Sequence, residues 1–175
     1  MIVPDHVRET DANIRMNPEE QQEALTEVGK LLLSTAPANW SEIRYSIHAL
    51  ACFAKSLIEA KLETGENIRL RPPMSMGTRM LELRTAMYRP GQGTWFSANY
   101  VITKPSDYTV DFDYDSEPNF SPDAFHFEPT PETYVEDLGF FPRDEEHIPD
   151  WLYNKISKTR AANENPFTPP PTRSK

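Results

Sequence analysis

The chain has 175 residues, 38 % of them hydrophobic, which is enough for one compact domain with a buried core. Its 27 acidic and 18 basic residues give a net charge of -9, which disfavours nucleic acids and anionic membranes as ligands. The charge favours a basic protein partner, although solubility alone would also explain it. No apolar run approaches the roughly 20 residues of a membrane span, and no signal-peptide pattern opens the chain, so we expect a cytoplasmic protein.

The first predicted element is an amphipathic helix. Residues 1–16 lack periodicity and are expected to be a flexible arm. Asn17 is a good N-cap, Pro18 suits the first helical position, and Glu20 can complete a capping box. Leucines and a valine at helical spacing continue the pattern until Pro37 ends it, which predicts one buried stripe along this helix.

Residues 40–62 fit two patterns at once. One set of apolar residues recurs every three to four positions, as in a helix, and another alternates from Ile43 to Phe53, as in a strand. Periodicity alone slightly favours the helix. Cys52, the single cysteine, cannot form an internal disulfide and is expected to be a buried thiol. Gly65 ends the segment, and "IRLRPP" after it predicts a short edge strand closed by two prolines.

A second amphipathic helix is predicted from Ser75 to Tyr88, where methionines and a leucine recur three and four positions apart. After the turn "RPGQG", residues 94–103 are rich in aromatic and β-branched side chains. Residues 108–115 have the same character, and "KPSD" separates the two runs. These two runs predict a β-hairpin.

The second strand of this hairpin is predicted to have one acidic and one apolar face. Asp111, Asp113 and Asp115 alternate with three apolar residues, so the carboxylates form a row on one side of the strand. Such a row can bind a metal ion, contact a basic partner or simply remain solvated. The spacing begins like an EF-hand loop, but Ser116 and Pro122 stand where that loop needs glycine and glutamate.

The C-terminal third is rich in proline. Residues 116–131 carry four prolines and three phenylalanines, which predicts a loop that packs on the body of the domain. One short helix is expected to end at Gly139, and another to begin at Pro149. Residues 158–175 are too polar to order themselves and are expected to be a disordered tail, which leaves residues 17–157 as the single domain.

Sequence motifs assign no catalytic residue, cofactor site or metal site. The four histidines lack metal-ligand spacing, "PGQG" is neither a phosphate loop nor a dinucleotide fingerprint, and no serine lies in a nucleophile-elbow motif. We therefore expect a chain that acts without a cofactor and is not an enzyme.

Three segments in order resemble the YezG-like antitoxin family: "LLLSTAPANWSEI", "LRTAMYRPGQGTWFSANYVI" and "YTVDFDYDSEP". The resemblance runs from about Pro18 to Trp151. Within that family, the length, the acidic balance and the segment "FPRDEEHIPDWL" make the chain similar to the immunity factors of toxins of the tuberculosis necrotizing type. The proline-rich segment after Asp115 and the tail after Lys158 depart from the family pattern, so the resemblance implies no role for them.

The resemblance implies an α+β fold, with one antiparallel four-to-five-stranded sheet and helices packed around it. It therefore replaces the helix suggested by periodicity with two strands, near residues 43–52 and 56–63. It also implies a cytosolic antitoxin that binds a cognate NAD+ glycohydrolase toxin as a 1:1 heterodimer and blocks its NAD-binding site.

The candidate contacts with a toxin come from the acidic row and from two projecting turns, "ETGEN" and "RPGQG". An aromatic anchor at Trp95, or at Tyr100, is also expected to be exposed. The candidate toxin-binding residues are Asp111, Asp113, Asp115, Glu66, Asn67, Gln92 and Trp95. The alternative for these residues is that the aspartate row is only solvated and that both turns are plain turns. The alternatives for the function are a metal-dependent hydrolase that uses the aspartate row, and an adaptor or chaperone.

Overall fold

The computed structural model describes residues 16–105, 107–120 and 128–163. In chain order the elements are α1 (Pro18–Thr35), β1 (Trp40–Leu50), β2 (Phe53–Leu62), β3 (Asn67–Leu70), α2 (Met74–Ala86), β4 (Ser97–Thr103), β5 (Asp107–Asp113), α3 (Pro131–Phe140) and α4 (Asp150–Asn163), with a short 3-10 turn at Glu145–His147. The fold class predicted from the sequence is confirmed: the chain is a single α+β domain with one antiparallel sheet.

The sheet has five strands in the order β3-β2-β1-β4-β5, and every neighbouring pair is antiparallel. β1 is the central strand and pairs with β2 on one side and β4 on the other. β3 and β5 are the two edges of the sheet. Since β1 is also the longest strand, its length determines the length of the sheet surface on which the helices pack.

Helix α1 begins as its sequence predicts. The Asn17 side chain accepts hydrogen bonds from the backbone N–H groups of Glu19 and Glu20, both at 2.9 Å. In return the Glu20 carboxylate accepts from the backbone N–H of Asn17 at 2.7 Å, which completes the capping box. The buried side of the helix includes Val28 and Leu32.

The two-strand interpretation of residues 40–62 is confirmed. β1 and β2 form a long hairpin in which Leu50 lies opposite Phe53, so Ala51 and Cys52 make a two-residue turn. The prediction that Cys52 is buried is wrong, because its position in this turn leaves it exposed. The predicted edge strand also forms, as β3.

Helix α2 and the β4–β5 hairpin also form at the predicted places. The last helix, α4, differs from expectation in length. It continues to Asn163, past residue 158, where the sequence predicts the tail to begin. Ala161 and Ala162 are good helix formers, and the first proline comes later, at Pro166. Residues 164–175 lie outside the described part.

The apolar side chains form two clusters, one on each side of the sheet. The larger, which we call the main core, lies between the sheet and helices α1 and α2. It includes Val28, Leu32, Ile43, Tyr45, Ile47, Ile58, Met76, Met80, Leu83 and Trp95. Met16, the last residue of the predicted arm, packs against it, and residues 1–15 lie outside the described part.

The second core covers one end of the opposite side of the sheet. It consists of Leu50, Phe96, Phe120, Tyr134, Leu152 and Ile156, supplied by that end of the sheet, the proline-rich segment, α3 and α4. The burial of Phe120 agrees with the prediction that the proline-rich loop packs on the domain. Phe125 and Phe127 fall outside the described residues. In the ranges described, no helix has the length and apolar character needed to cross a membrane.

Candidate protein-binding surface

The described residues cover only part of the side of the sheet that faces away from α1 and α2. The second core covers the end near Leu50 and Phe53, and the remaining residues range from half-buried to exposed. We call this remaining part the open face. By strand alternation and register it consists of Glu42, Arg44, Ser46 and His48 on β1, Leu57, Glu59 and Lys61 on β2, Asn67 and Arg69 on β3, Asn99, Val101 and Thr103 on β4, and Asp107, Thr109 and Asp111 on β5.

The centre of the open face is polar but uncharged. The Ser46 hydroxyl donates to the Asn99 side-chain carbonyl across β1 and β4 at 2.8 Å. His48 Nδ1 and the Ser97 hydroxyl are hydrogen-bonded at 2.7 Å, with the donor set by the histidine tautomer. Burial lowers the pKa of His48, so the imidazole is neutral at neutral pH. These cross-strand pairs fix the side chains and give the surface a defined shape.

Charge is distributed unevenly across the open face. Arg44 lies 3.6 Å from the Glu42 carboxylate, and Arg69, on the β3 edge of the face, lies 3.5 Å from Glu59. Such exposed pairs add little stability, but they neutralise Arg44 and Arg69, which leaves Lys61 as an exposed basic residue near β3. At the opposite side, Asp107 and Asp111 on β5 are exposed and have no ion-pair partner among the described residues. The β5 side of the face is therefore acidic.

The predicted row of aspartates occupies three different environments. Asp111 is exposed on the open face. The Asp113 carboxylate accepts hydrogen bonds from the backbone N–H groups of Asp115 and Ser116, at 3.0 and 2.8 Å, and so stabilises the turn that follows β5. Partial burial tends to raise the pKa of Asp113, but these hydrogen bonds outweigh it and the pKa is lowered. Asp115 lies beyond the strand, where its backbone carbonyl accepts from the Trp151 indole at 2.6 Å.

The turn residues predicted to contact a partner lie at the other end of the sheet. Glu66 closes the β2–β3 turn through its backbone carbonyl, which accepts from Leu62 N–H at 2.8 Å. Asn67 begins β3 opposite Lys61, and both positions are exposed. Along β1 this end is six residues, or roughly 20 Å, from the level of Asp113, and β3 lies four strand spacings, also roughly 20 Å, from β5 and its aspartates. The fold therefore does not bring Glu66 and Asn67 together with the aspartates.

Gln92 is exposed on a loop that is held tightly at its base. Gly91 and Gly93 have positive φ angles of 78° and 77°. A Cβ at Gly91 would collide with Asp144, and one at Gly93 would collide with Arg143. The Arg143 guanidinium in turn donates to the Thr94 carbonyl at 2.6 Å. The backbone of this loop is thus fixed, and the Gln92 side chain is presented from a rigid support.

The predicted exposure of Trp95 and Tyr100 is wrong. Trp95 is fully buried and Tyr100 is 4 % exposed. The Trp95 ring lies 5.6 Å from the ring of Phe112, centroid to centroid, within the main core. Because no part of the Trp95 side chain reaches the surface, it does not serve as an anchor for a partner in this conformation.

A buried ion pair that no sequence pattern predicted connects the main core to the C-terminal helices. Arg84 on α2 lies 2.9 Å from Asp137 on α3, and both side chains are at least 96 % buried. Arg84 also donates to the Trp95 carbonyl at 2.8 Å, and Asp137 accepts from the Ala51 N–H at 2.7 Å. Arg84 follows Met80 by four residues and so lies on the apolar stripe of α2. Its position there was the signal in the sequence that this arginine is buried.

The pKa values in this pair reflect its burial. Burial raises the pKa of Asp137 against the opposing effect of Arg84. Burial likewise lowers the pKa of Arg84. Each buried charge is therefore stabilised only while its partner remains beside it, so the ion pair fixes the position of α3 relative to α2.

The structure also brings together Asp144, Glu146 and His147, whose ligand atoms lie within 4.8 Å of one another. The two carboxylates are exposed, as unliganded acidic groups commonly are. In the described residues the aspartate row does not assemble into such a group. Two shallow depressions of about 350 and 200 Å³ lie elsewhere, one beside Lys155 and one beside Arg89.

Comparison with known proteins finds no family model that matches the chain and no curated protein that matches it significantly. The resemblance to YezG-like antitoxins stays a prediction from the sequence.

Proposed function

We propose that this chain is a cytoplasmic immunity protein that binds an NAD+ glycohydrolase toxin and blocks access to its NAD-binding site. The observation that carries the proposal is the open face, a rigid polar surface that is acidic along β5. An inhibitor of this kind performs no chemistry, so its requirement is a surface that fits the rim of the toxin's active site.

Two further observations support the proposal. The fold implied by the family resemblance, an antiparallel sheet with packed helices, is the fold of this chain. The net charge of -9 also suits a partner whose active site attracts the phosphates of NAD+ and is therefore basic.

The size of the open face indicates how much of the interface it supplies. Four strand spacings and about six residues give a surface of roughly 20 by 20 Å, or about 400 Å² in projection. A stable complex buries about 800 Å² on each partner. The interface must therefore extend beyond the face, onto β5 or the neighbouring turns.

An acidic surface of this type acts mainly on the rate of association. Carboxylates on β5 attract a basic cleft from a distance, whereas close packing and hydrogen bonds slow dissociation. Bacterial toxin and immunity pairs reach dissociation constants on the order of 10⁻¹³ M or tighter. Such affinity would keep free toxin negligible in the producing cell.

The proposal is tested by titrating the protein into a purified necrotizing-type NAD+ glycohydrolase and following NAD+ loss. We expect inhibition to be complete at equimolar protein and the mixture to elute as a 1:1 complex in size-exclusion chromatography. Undiminished NAD+ loss with separate elution of the two proteins would contradict the proposal. Weak binding to many unrelated proteins would favour an adaptor or chaperone instead.

A further inference from the structure

The edge strand β5 offers a second kind of binding surface, its backbone. β4 pairs with one side of β5, and no described strand pairs with the other side. Along the free side, alternate residues direct their N–H and C=O groups away from the sheet. These unpaired groups are a template for a further strand.

β5 is better suited to accept a strand than the opposite edge. It has seven residues with no internal proline, and its Val110 and Phe112 are anchored on the main core. β3 has only four residues and is followed, after Arg71, by Pro72 and Pro73. A short edge closed by prolines is a common protection against strand addition.

The charges on β5 disfavour pairing with a second copy of the same chain. Asp107, Asp111 and Asp113 lie on one face of the strand because they are separated by even numbers of residues. In an antiparallel pair of two β5 strands centred on residue 109, Asp107 of one copy would lie opposite Asp111 of the other. If the pair were centred on residue 110, Asp107 of one copy would lie opposite Asp113 of the other. If it were centred on residue 111, Asp111 of one copy would lie opposite Asp111 of the other. Like charges directly opposite one another are destabilising in each register.

We propose that β5 is a docking edge for a basic β-strand of a protein partner, which extends the sheet by pairing with the free side of β5. Lysine or arginine at alternate positions of the incoming strand would lie opposite the aspartates on the open face. The assignment of that strand to the toxin rests on the proposed function, whereas the preference for a basic strand follows from the edge itself. Strand addition would also supply the interface area that the open face lacks.

Hydrogen exchange of the complex tests the assignment to the toxin. In the free protein, the amides on the outer side of β5 should exchange quickly, and in the toxin complex they should become protected. If the toxin is inhibited at 1:1 but exchange in residues 107–113 is unchanged, the docking edge is wrong while the immunity function stands. If the toxin does not bind, the proposed function fails and the edge is decided by the peptide experiment alone.

A peptide experiment tests the edge without a toxin. The probe is a seven-residue peptide that alternates lysine and valine, and the control replaces lysine with glutamate. Both peptides are titrated against the full chain, and we expect the shifts of the β5 amides in NMR spectra to give a dissociation constant at least about fivefold lower for the lysine peptide than for the glutamate peptide, since opposite charges directly across a strand pair are stabilising. Equal binding of both peptides, or perturbation elsewhere only, would overturn the inference.

Two variants make the test specific. Asp111→Lys should reduce the preference for the lysine peptide about fivefold or more, because a like charge would then face the incoming strand. Glu66→Lys changes the net charge by the same amount at the other end of the sheet and should leave the preference unchanged. An equal effect of both variants would show that net charge alone attracts the peptide, which would contradict a docking edge. Dimerisation of the free chain through β5 would also contradict it.

Discussion

Three aspartates with one spacing in the sequence have three different environments in the fold. Asp111 is solvated on the open face, Asp113 holds a turn, and Asp115 lies past the strand and contributes its backbone carbonyl to a hydrogen bond. Alternation correctly predicts the face on which a strand residue lies, because it follows from backbone geometry. It does not predict hydrogen bonds to backbone groups further along, since those depend on where the strand ends.

Asp113→Ala tests the role of Asp113 in the turn. Loss of the two backbone hydrogen bonds should lower the free energy of unfolding by about 1–2 kcal/mol at neutral pH. Because the folded-state pKa is below the ordinary 3.8, this stabilisation should be complete above pH 3.8 and lost as the pH falls through the folded value. Urea unfolding of both proteins between pH 7 and pH 2 measures the difference.

Asp111→Ala is the matched control, because Asp111 is exposed on the same strand. Its effect should stay within about 0.5 kcal/mol at every pH. Equal destabilisation by the two variants, or a difference for Asp113→Ala that persists at low pH, would contradict the role of Asp113.

Asp137→Asn tests the buried ion pair. The change leaves the Arg84 guanidinium buried without its counter-charge, which should cost about 3–5 kcal/mol of unfolding free energy. The control is Glu82→Gln, which removes the exposed partner of Arg79 and should cost no more than about 1 kcal/mol. Similar chemical denaturation midpoints for the two variants would show that the pair does not hold α3 in place.

At the scale of elements, local signals explain which parts of the fold the sequence predicts. The capping box of α1 and the β4–β5 hairpin depend on neighbouring residues, and both are predicted correctly. The β1–β2 hairpin is ambiguous because apolar residues occupy both sides of it near Leu50 and Phe53, where the sheet has a core on each side. A strand covered on both sides lacks clean alternation and resembles a helical pattern.

The same two-sided burial explains the error at Trp95. Trp95 and Phe96 are adjacent and fully buried, yet Trp95 belongs to the main core and Phe96 to the second core. A sequence pattern that assumes one exposed side assigns one of the two to the surface. Only the placement of α3 and α4, which depends on distant contacts such as Arg84–Asp137, shows that both are covered.

Gly93→Ala tests how the Arg89–Gly93 loop is held. Alanine at a positive φ costs about 1–2 kcal/mol, and at Gly93 its Cβ would also displace Arg143 from the Thr94 carbonyl. Gly65→Ala has a similar φ of 87° but open space around the added carbon. We expect thermal unfolding to show a larger loss for Gly93→Ala than for Gly65→Ala. Equal losses would mean that backbone strain alone matters and that Arg143 moves aside without cost.

At the scale of the whole molecule, the two cores leave one continuous surface uncovered by the described residues. Helices α1 and α2 cover one side of the sheet, and α3 and α4 cover one end of the other, so the open face and the β5 edge adjoin each other. The sequence predicts the acidic strand that borders this surface. It does not predict that the candidate residues Glu66 and Asn67 lie roughly 20 Å from the acidic strand β5, at the opposite edge of the sheet, because this distance depends on the strand order.

The most direct test of the open face as the toxin-binding surface is the association rate with the toxin at low and high ionic strength. Asp111→Asn should slow association several-fold at low salt and flatten the salt dependence, whereas Glu66→Gln, with the same loss of charge, should change both less. Association rates that are the same for Asp111→Asn and the unchanged protein at both ionic strengths would contradict a binding site at the acidic side of the open face.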